Sequence, residues 1–159
     1  MSEKRIHLPE WEQLPDLGLY MDQVMLLMDR LFADKLPKGE MTKSMINNYV
    51  KAGLMPRPAG KKYDREHLAI LLVIYVLKQA LNMESVGDIL KILCRDSVCV
   101  GYEQFRNQLE ELEEILAKGT VVMDWADDSR EELTLRLSIM AALCTIRTYW
   151  LLPGPPEGK

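Results

Sequence analysis

The chain is poor in the residues that build most metal, redox and disulfide sites. It has three cysteines, an odd number, and only two histidines. Three thiols do not make a disulfide framework and fit a reducing cytoplasm. A zinc site needs about four ligands. Cys94 and Cys99 lie near one another, but Cys144 and His7 would have to converge on them by accident, so no metal or other cofactor is expected and the thiols read as buried and inert. No secretory leader is expected either, since Met1 to Asp16 is polar and has no apolar stretch. The strongest apolar run, Leu68–Leu77, is ten residues long and stops at Lys78. That is too short to cross a bilayer. A second stretch, Leu137–Leu152, carries Arg147 and reads as a buried helix. A cytoplasmic protein without a membrane partner is the expectation. Nor is there a glycine-rich phosphate loop, a nucleophile elbow or a paired carboxylate arrangement, so no enzyme chemistry is expected.

What is present suits a packed helical domain. Of 159 residues, 48% are hydrophobic and 28% charged, enough for one core with a helical extension. Residues 1–16 read as an irregular lead-in broken by Pro9 and Pro15, with Trp11 as an anchor. From Asp16, a candidate cap, the apolar residues Leu17, Tyr20, Met21, Val24, Leu27, Met28 and Leu31 recur at helical spacing until Pro37 and Gly39. Met21, Met25 and Met28 read as core filler. Thr42 opens a short helix ending near Ala52, with Gly53 as its left-handed stop. Residues 55–63 carry two prolines and a glycine and predict an extended loop or small hairpin. Asp64 caps the next helix, which runs to about Asn82 and is apolar on nearly every side, as the centre of a core should be.

Further helices are expected over Ser85–Leu93, Tyr102–Lys118 and Ser129–Leu152, followed by a tail from Pro153 whose composition does not support packing. The division is therefore residues 17–95 as one domain and 96–152 as a helical extension for dimerisation or an effector. Phe105, Leu109, Leu112 and Leu116 form a two-heptad seam that suits pairing with a second copy. Between them Glu110, Glu111, Glu113 and Glu114 read as a solvated acidic face.

Charge is unevenly placed. The net charge is −4, yet between Lys35 and His67 eight basic residues (Lys35, Lys38, Lys43, Lys51, Arg57, Lys61, Lys62, Arg65) face only three acidic ones, a local +5. A polyanion responds to local field rather than to total charge. The short helix carries Thr42, Lys43, Ser44, Asn47, Asn48 and Lys51 beside inward Met45, Ile46, Tyr49 and Val50. Asn can pair bidentately with adenine in the major groove, while Lys and Ser hold phosphates. Arg57, Lys61, Lys62 and Arg65 continue the basic rim. Double-stranded DNA is the expected partner.

Met45 to Leu54, followed by Gly60-Lys61-Lys62-Tyr63 and a helix, resembles the winged helix-turn-helix of MerR-type regulators. Together with Leu19 to Val24, Thr42 to Lys51 and Lys61 to His67, it resembles a bacterial, largely Firmicute, domain-of-unknown-function family described as containing a MerR-like helix-turn-helix. The resemblance spans roughly residues 17–95. It implies an all-α fold, a MerR-like winged helix-turn-helix with a C-terminal helical extension, acting as a transcriptional regulator that dimerises through later helices. Asn47 stands at the phosphate-binding Arg of that motif, Asn48 and Tyr49 at its two tyrosines, and Lys62 near the Arg of the wing, which here lacks its first Tyr. An amide in place of a guanidinium reads bases or serves only the backbone.

Each feature has a plainer alternative. Asn47 and Asn48 can cap or turn the chain, Lys61 and Lys62 can serve solubility, and His67 reads as a structural histidine. A helical protein–protein interaction module without DNA binding is the competing function. No effector can be named.

Overall fold

The computed structural model describes residues 4–33, 35–37, 39–119 and 124–153. Lys38 of the basic set and the tail beyond Pro153 lie outside them. Among the described residues, a 3₁₀ turn at Trp11–Gln13 is followed by six α-helices: α1 Met21–Phe32, α2 Lys43–Lys51, α3 Arg65–Leu77, α4 Met83–Leu93, α5 Val98–Lys118 and α6 Arg130–Leu151. Among the described residues β pairing is limited to two isolated antiparallel bridges, Leu19 with Tyr63 and Ala59 with Lys62. The fold is all-α, as expected. No described helix is long and apolar enough to cross a membrane.

Local chemistry explains most helix starts. Thr42, Asp64, Asn82, Ser97 and Ser129 each accept a hydrogen bond from the backbone N–H three residues on. Each satisfies a donor that the first helical turn leaves open. α1 departs from its expected bounds: it begins at Met21, not Asp16. Residues 17–20 are drawn out instead, because the Leu19 N–H donates to the Tyr63 carbonyl and the Tyr63 N–H returns to Leu19, both at 2.8 Å. Leu17, assigned to the apolar stripe, is 81% exposed.

α3 is the centre of the core, buried at every position from His67 to Leu77. α4, α5 and α6 pack around it. The N-terminal segment is not loose either. Ile6, Leu8 and Leu14 are fully buried. Their backbone is strapped to α5: the Tyr102 hydroxyl donates to the Pro9 carbonyl at 2.6 Å, and the Trp11 N–H donates to Glu103 Oε1 at 2.7 Å. Ile6, Leu8, Trp11 and Leu14, spaced two, three and three apart with Pro9 between them, keep neither a strand nor a helix period, which explains why this strap reads as irregular.

Two expectations about the last helices are corrected. Phe105, Leu109 and Leu112 are fully buried inside the chain and Leu116 is half-buried, so the seam proposed for pairing faces the protein's own core. α5 thereby belongs to the same packed unit as α3 and α4 rather than to an appendage. The acidic face is also not simply solvated: Glu113 is buried and bonded to Arg147, while Glu110, Glu111 and Glu114 meet Arg106, Arg136 and Arg5. α6 buries only one side, through Leu135, Ile139, Ala142, Leu143 and Ile146. Leu137, Ala141, Cys144 and Thr148 face outward.

Candidate nucleic-acid interface

α2 is amphipathic in a way that decides what it can offer. Ile46 and Tyr49 are buried and Met45 and Val50 half-buried, anchoring the helix. The Tyr49 hydroxyl accepts from Lys78 Nζ at 3.2 Å, and that ammonium lies 4.9 Å from the ring centroid. Burial pushes the Tyr49 hydroxyl up to about 12, so it stays neutral. Lys43, Ser44, Asn47, Asn48 and Lys51 are all exposed. At ~100° per residue these five positions span an arc of about 140° on the side away from the core.

The two asparagines bear on the plainer alternative directly. Both sit inside α2, neither caps it, and among the described residues neither side chain has a hydrogen-bond partner. Thr42 does the capping, its Oγ1 accepting from the Met45 N–H at 3.2 Å. Two adjacent, unpartnered amides on an exposed helix face are free to read an external hydrogen-bonding surface.

The loop after α2 closes as a tight turn. The Lys62 N–H donates to the Ala59 carbonyl at 3.0 Å, and Gly60 and Lys61 both hold positive φ, +57° and +61°. Two successive positive φ values are the pattern of a type I′ hairpin turn, in which Gly is at ease and Lys is not. Lys61 stands at its tip, and Lys62 closes it; both are exposed. The Lys62 stem crosses Gly18, where an added Cβ would come within 2.9 Å, and its Nζ stands 5.4 Å from the Tyr20 ring centroid. The extended 17–20 segment thus supports the turn from behind, through both the Leu19–Tyr63 bridge and the Lys62 stem. Tyr63 is buried edge-on to His67 at 5.6 Å, and burial raises its hydroxyl above the ordinary value.

The basic residues expected to act together are not all equivalent. Among the described residues Lys51, Arg57, Lys61 and Lys62 are exposed and carry no carboxylate partner. Lys43 is exposed but bonded to Asp22 of α1. Arg65 turns inward: its Nε donates to the Leu14 carbonyl at 3.0 Å, its guanidinium lies 5.7 Å from the Trp11 ring centroid, and Glu12 and Asp16 flank it. A planar donor fork beside a strap with an open carbonyl is better satisfied there than in water, so Arg65 leaves the basic rim. Lys35 sits apart, where its carbonyl accepts from Trp150 Nε1 at 2.7 Å.

His67 lies in the core, as a structural histidine would, but its buried Nε2 has no hydrogen-bond partner among the described residues. It is buried, and its Nδ1 lies 2.7 Å from Asp64 Oδ1. The Asp64 carboxyl lies below its ordinary value. Burial pushes it up, but hydrogen bonds from the His67 backbone and side chain, and the charge of that ring, outweigh burial. The cysteines divide: Cys94 and Cys99 are half-buried, whereas Cys144 is exposed, against the expectation of burial. Burial, then the charge of Glu66, raises the Cys94 thiol. Sequence reasoning missed Asp22 and Tyr20 as neighbours of the site. Only Pro15 and Gly18, which discourage an early helix start, hinted that residues 17–20 would be free to reach it.

Fold and site together define an all-helical domain that exposes a short polar helix and, in the loop that follows it, a basic hairpin turn. A family model described as a domain of unknown function (DUF1836) matches residues 9–114, and the chain belongs to that family. The match takes in the N-terminal strap and most of α5, beyond the 17–95 stretch at both ends. No curated protein and no solved structure matches the chain.

Proposed function

We propose that the chain is a DNA-binding transcriptional regulator of MerR-like winged helix-turn-helix design. α2 enters the major groove of a duplex, and the turn over 57–62 rests on the flanking backbone. The observation that carries this reading is the exposed α2 face with its two asparagines, followed in the chain by a hairpin turn whose exposed Lys61 and Lys62 have no carboxylate partner among the described residues. Lys43, Lys51, Arg57, Lys61 and Lys62 meet phosphates; neutralising five of them corresponds to a slope of about −4.5 in log affinity against log salt. Asn47 and Asn48 read base edges. Arg65 has no part in contact, being committed to the N-terminal strap.

Fluorescence anisotropy with a genomic duplex pool, across salt concentrations, tests this. Lys61→Ala/Lys62→Ala is expected to weaken every sequence alike and flatten the slope by about two. Asn47→Ala or Asn48→Ala is expected to leave the slope alone and relax sequence preference by about 1–3 kcal/mol. Salt-independent or absent binding would sink the reading.

A homodimer suits a regulator that reads two half-sites. Its seam is α6 rather than α5. The hydroxyls of Thr134, Thr145 and Thr148 all donate to carbonyls four residues back, so this outward face shows methyl groups alongside Leu137 and Ala141. Light scattering on Leu137→Glu checks it, with a monomer expected. The same face favours the second reading, a protein-interaction module without DNA contact, if wild type binds no duplex.

A further inference from the structure

A cleft of about 410 Å³ opens between α1, Leu36 with Gly39, Glu40 and Met41, Tyr75 of α3 and Tyr149 of α6. Its floor is apolar and aromatic: Met28, Phe32, Met41 and Tyr75 are buried there, with the Phe32 and Tyr75 rings edge-to-face at 5.0 Å. Met25, Leu26 and Tyr149 form the walls, and Leu26 and Tyr149 are 53% and 43% exposed. The rim is acidic. Asp22, Asp29 and Glu40 line it, and no Lys, Arg or His does among the described residues. Lys43 answers Asp22, but Asp29 and Glu40 have no cationic partner among the described residues. Their field reaches the floor: burial first, then the charges of Tyr49, Glu40 and Asp29, push the Tyr75 hydroxyl up to about 12. That hydroxyl donates to the Gly39 carbonyl and so has no proton to offer an anion.

We infer that this cleft binds a small organic cation, an ammonium or guanidinium on an apolar body. The volume is that of a small-molecule site. Aromatic faces and methionine sulfurs accept a weakly hydrated cation and its hydrocarbon part. Two carboxylates without a cationic partner among the described residues oppose an anion and leave a neutral ligand with an uncompensated desolvation cost. The cleft also touches the proposed interface: Gly39, Glu40 and Met41 run straight into the Thr42 cap, and Asp22 holds Lys43 in the first turn of α2. That an occupant would alter DNA contact rests on the reading above. Binding itself does not.

The test therefore contains no DNA. Methionine-methyl NMR of the full chain is titrated with benzyltrimethylammonium, benzyl alcohol and phenylacetate. Benzyltrimethylammonium is expected to shift the Met25, Met28 and Met41 signals saturably at millimolar concentration. Benzyl alcohol is expected to bind about tenfold more weakly, and phenylacetate not at all. Asp29→Asn/Glu40→Gln, at two exposed positions, is expected to weaken the cation by about tenfold while the remaining methionine signals stay in place. Equal affinity for the alcohol, an unchanged affinity in the double variant, or no shift of those three methyls overturns the inference.

Discussion

Glu113 offers the sharpest test of how the N-terminal strap and α6 are joined. The residue is buried, with a side chain only 3% exposed, and it accepts from the Ile6 N–H at 3.1 Å and from Arg147 at 2.5 Å. Glu113→Ala removes both. An orphaned buried N–H costs about 1–3 kcal/mol, and loss of a charged hydrogen bond about 1.5–3. Arg147 is 21% exposed and regains some water, which holds the total near the lower end of the range for breaking a buried pair, about 3 kcal/mol. At about 2–4 °C per kcal/mol in a chain of this size, Tm should fall by roughly 6–12 °C. Replacing both partners with apolar residues, Glu113→Leu/Arg147→Met, should recover about half of the loss: no buried charge is left alone, but the Ile6 N–H stays without its acceptor. Urea unfolding of Glu113→Leu, Arg147→Met and the double variant, with an unchanged m-value, closes the double-mutant cycle. A loss under about 1 kcal/mol for the single variant, or a double variant no better than the single, refutes the reasoning.

Other outcomes follow from single contacts. At Gly101 an added Cβ would stand 2.3 Å from the Leu93 carbonyl oxygen, where α4 hands over to α5. Gly101→Ala is therefore expected to cost about 3 kcal/mol in denaturant unfolding, and a neutral substitution would mean the helices part easily. The lowered Asp64 carboxyl sets a pH dependence. Its charged form contributes stability fully above the ordinary aspartate range and loses it as pH falls through the lowered value. Asp64→Asn keeps a capping oxygen without the charge, so the Tm gap to wild type at neutral pH should close below about pH 4. A gap that stays constant across that window speaks against the ring–carboxylate contact.

The parts of the fold that were legible are those whose chemistry is local. Thr42, Asp64 and Ser129 cap the helices they were expected to open, and the unbroken apolar run after Arg65 lies in the centre of the core. The hairpin followed from Gly60 and the prolines before it. Less legible was anything that depends on what lies across the molecule. Asp16 heads a good helical pattern, yet residues 17–20 stay extended because Tyr63, more than forty positions away, supplies a pairing edge. Within the candidate site, the exposed side of α2 was readable from spacing, whereas the inward turn of Arg65 and the tie between Lys43 and Asp22 were not.

Composition and short-range pattern determined that this chain is helical, where α2, α3 and α6 begin, and that a run of its cations gathers around one short helix and one turn. Those properties depend on backbone donors, rotamer preferences and period, all of which act within a few residues. Tertiary structure alone decided which apolar stripe faces inward, so that Phe105, Leu109 and Leu112 belong to the core and α6 keeps the outward methyl face. It also decided which charges are answered and which stand open, because an ion pair or a cleft exists only where distant segments meet.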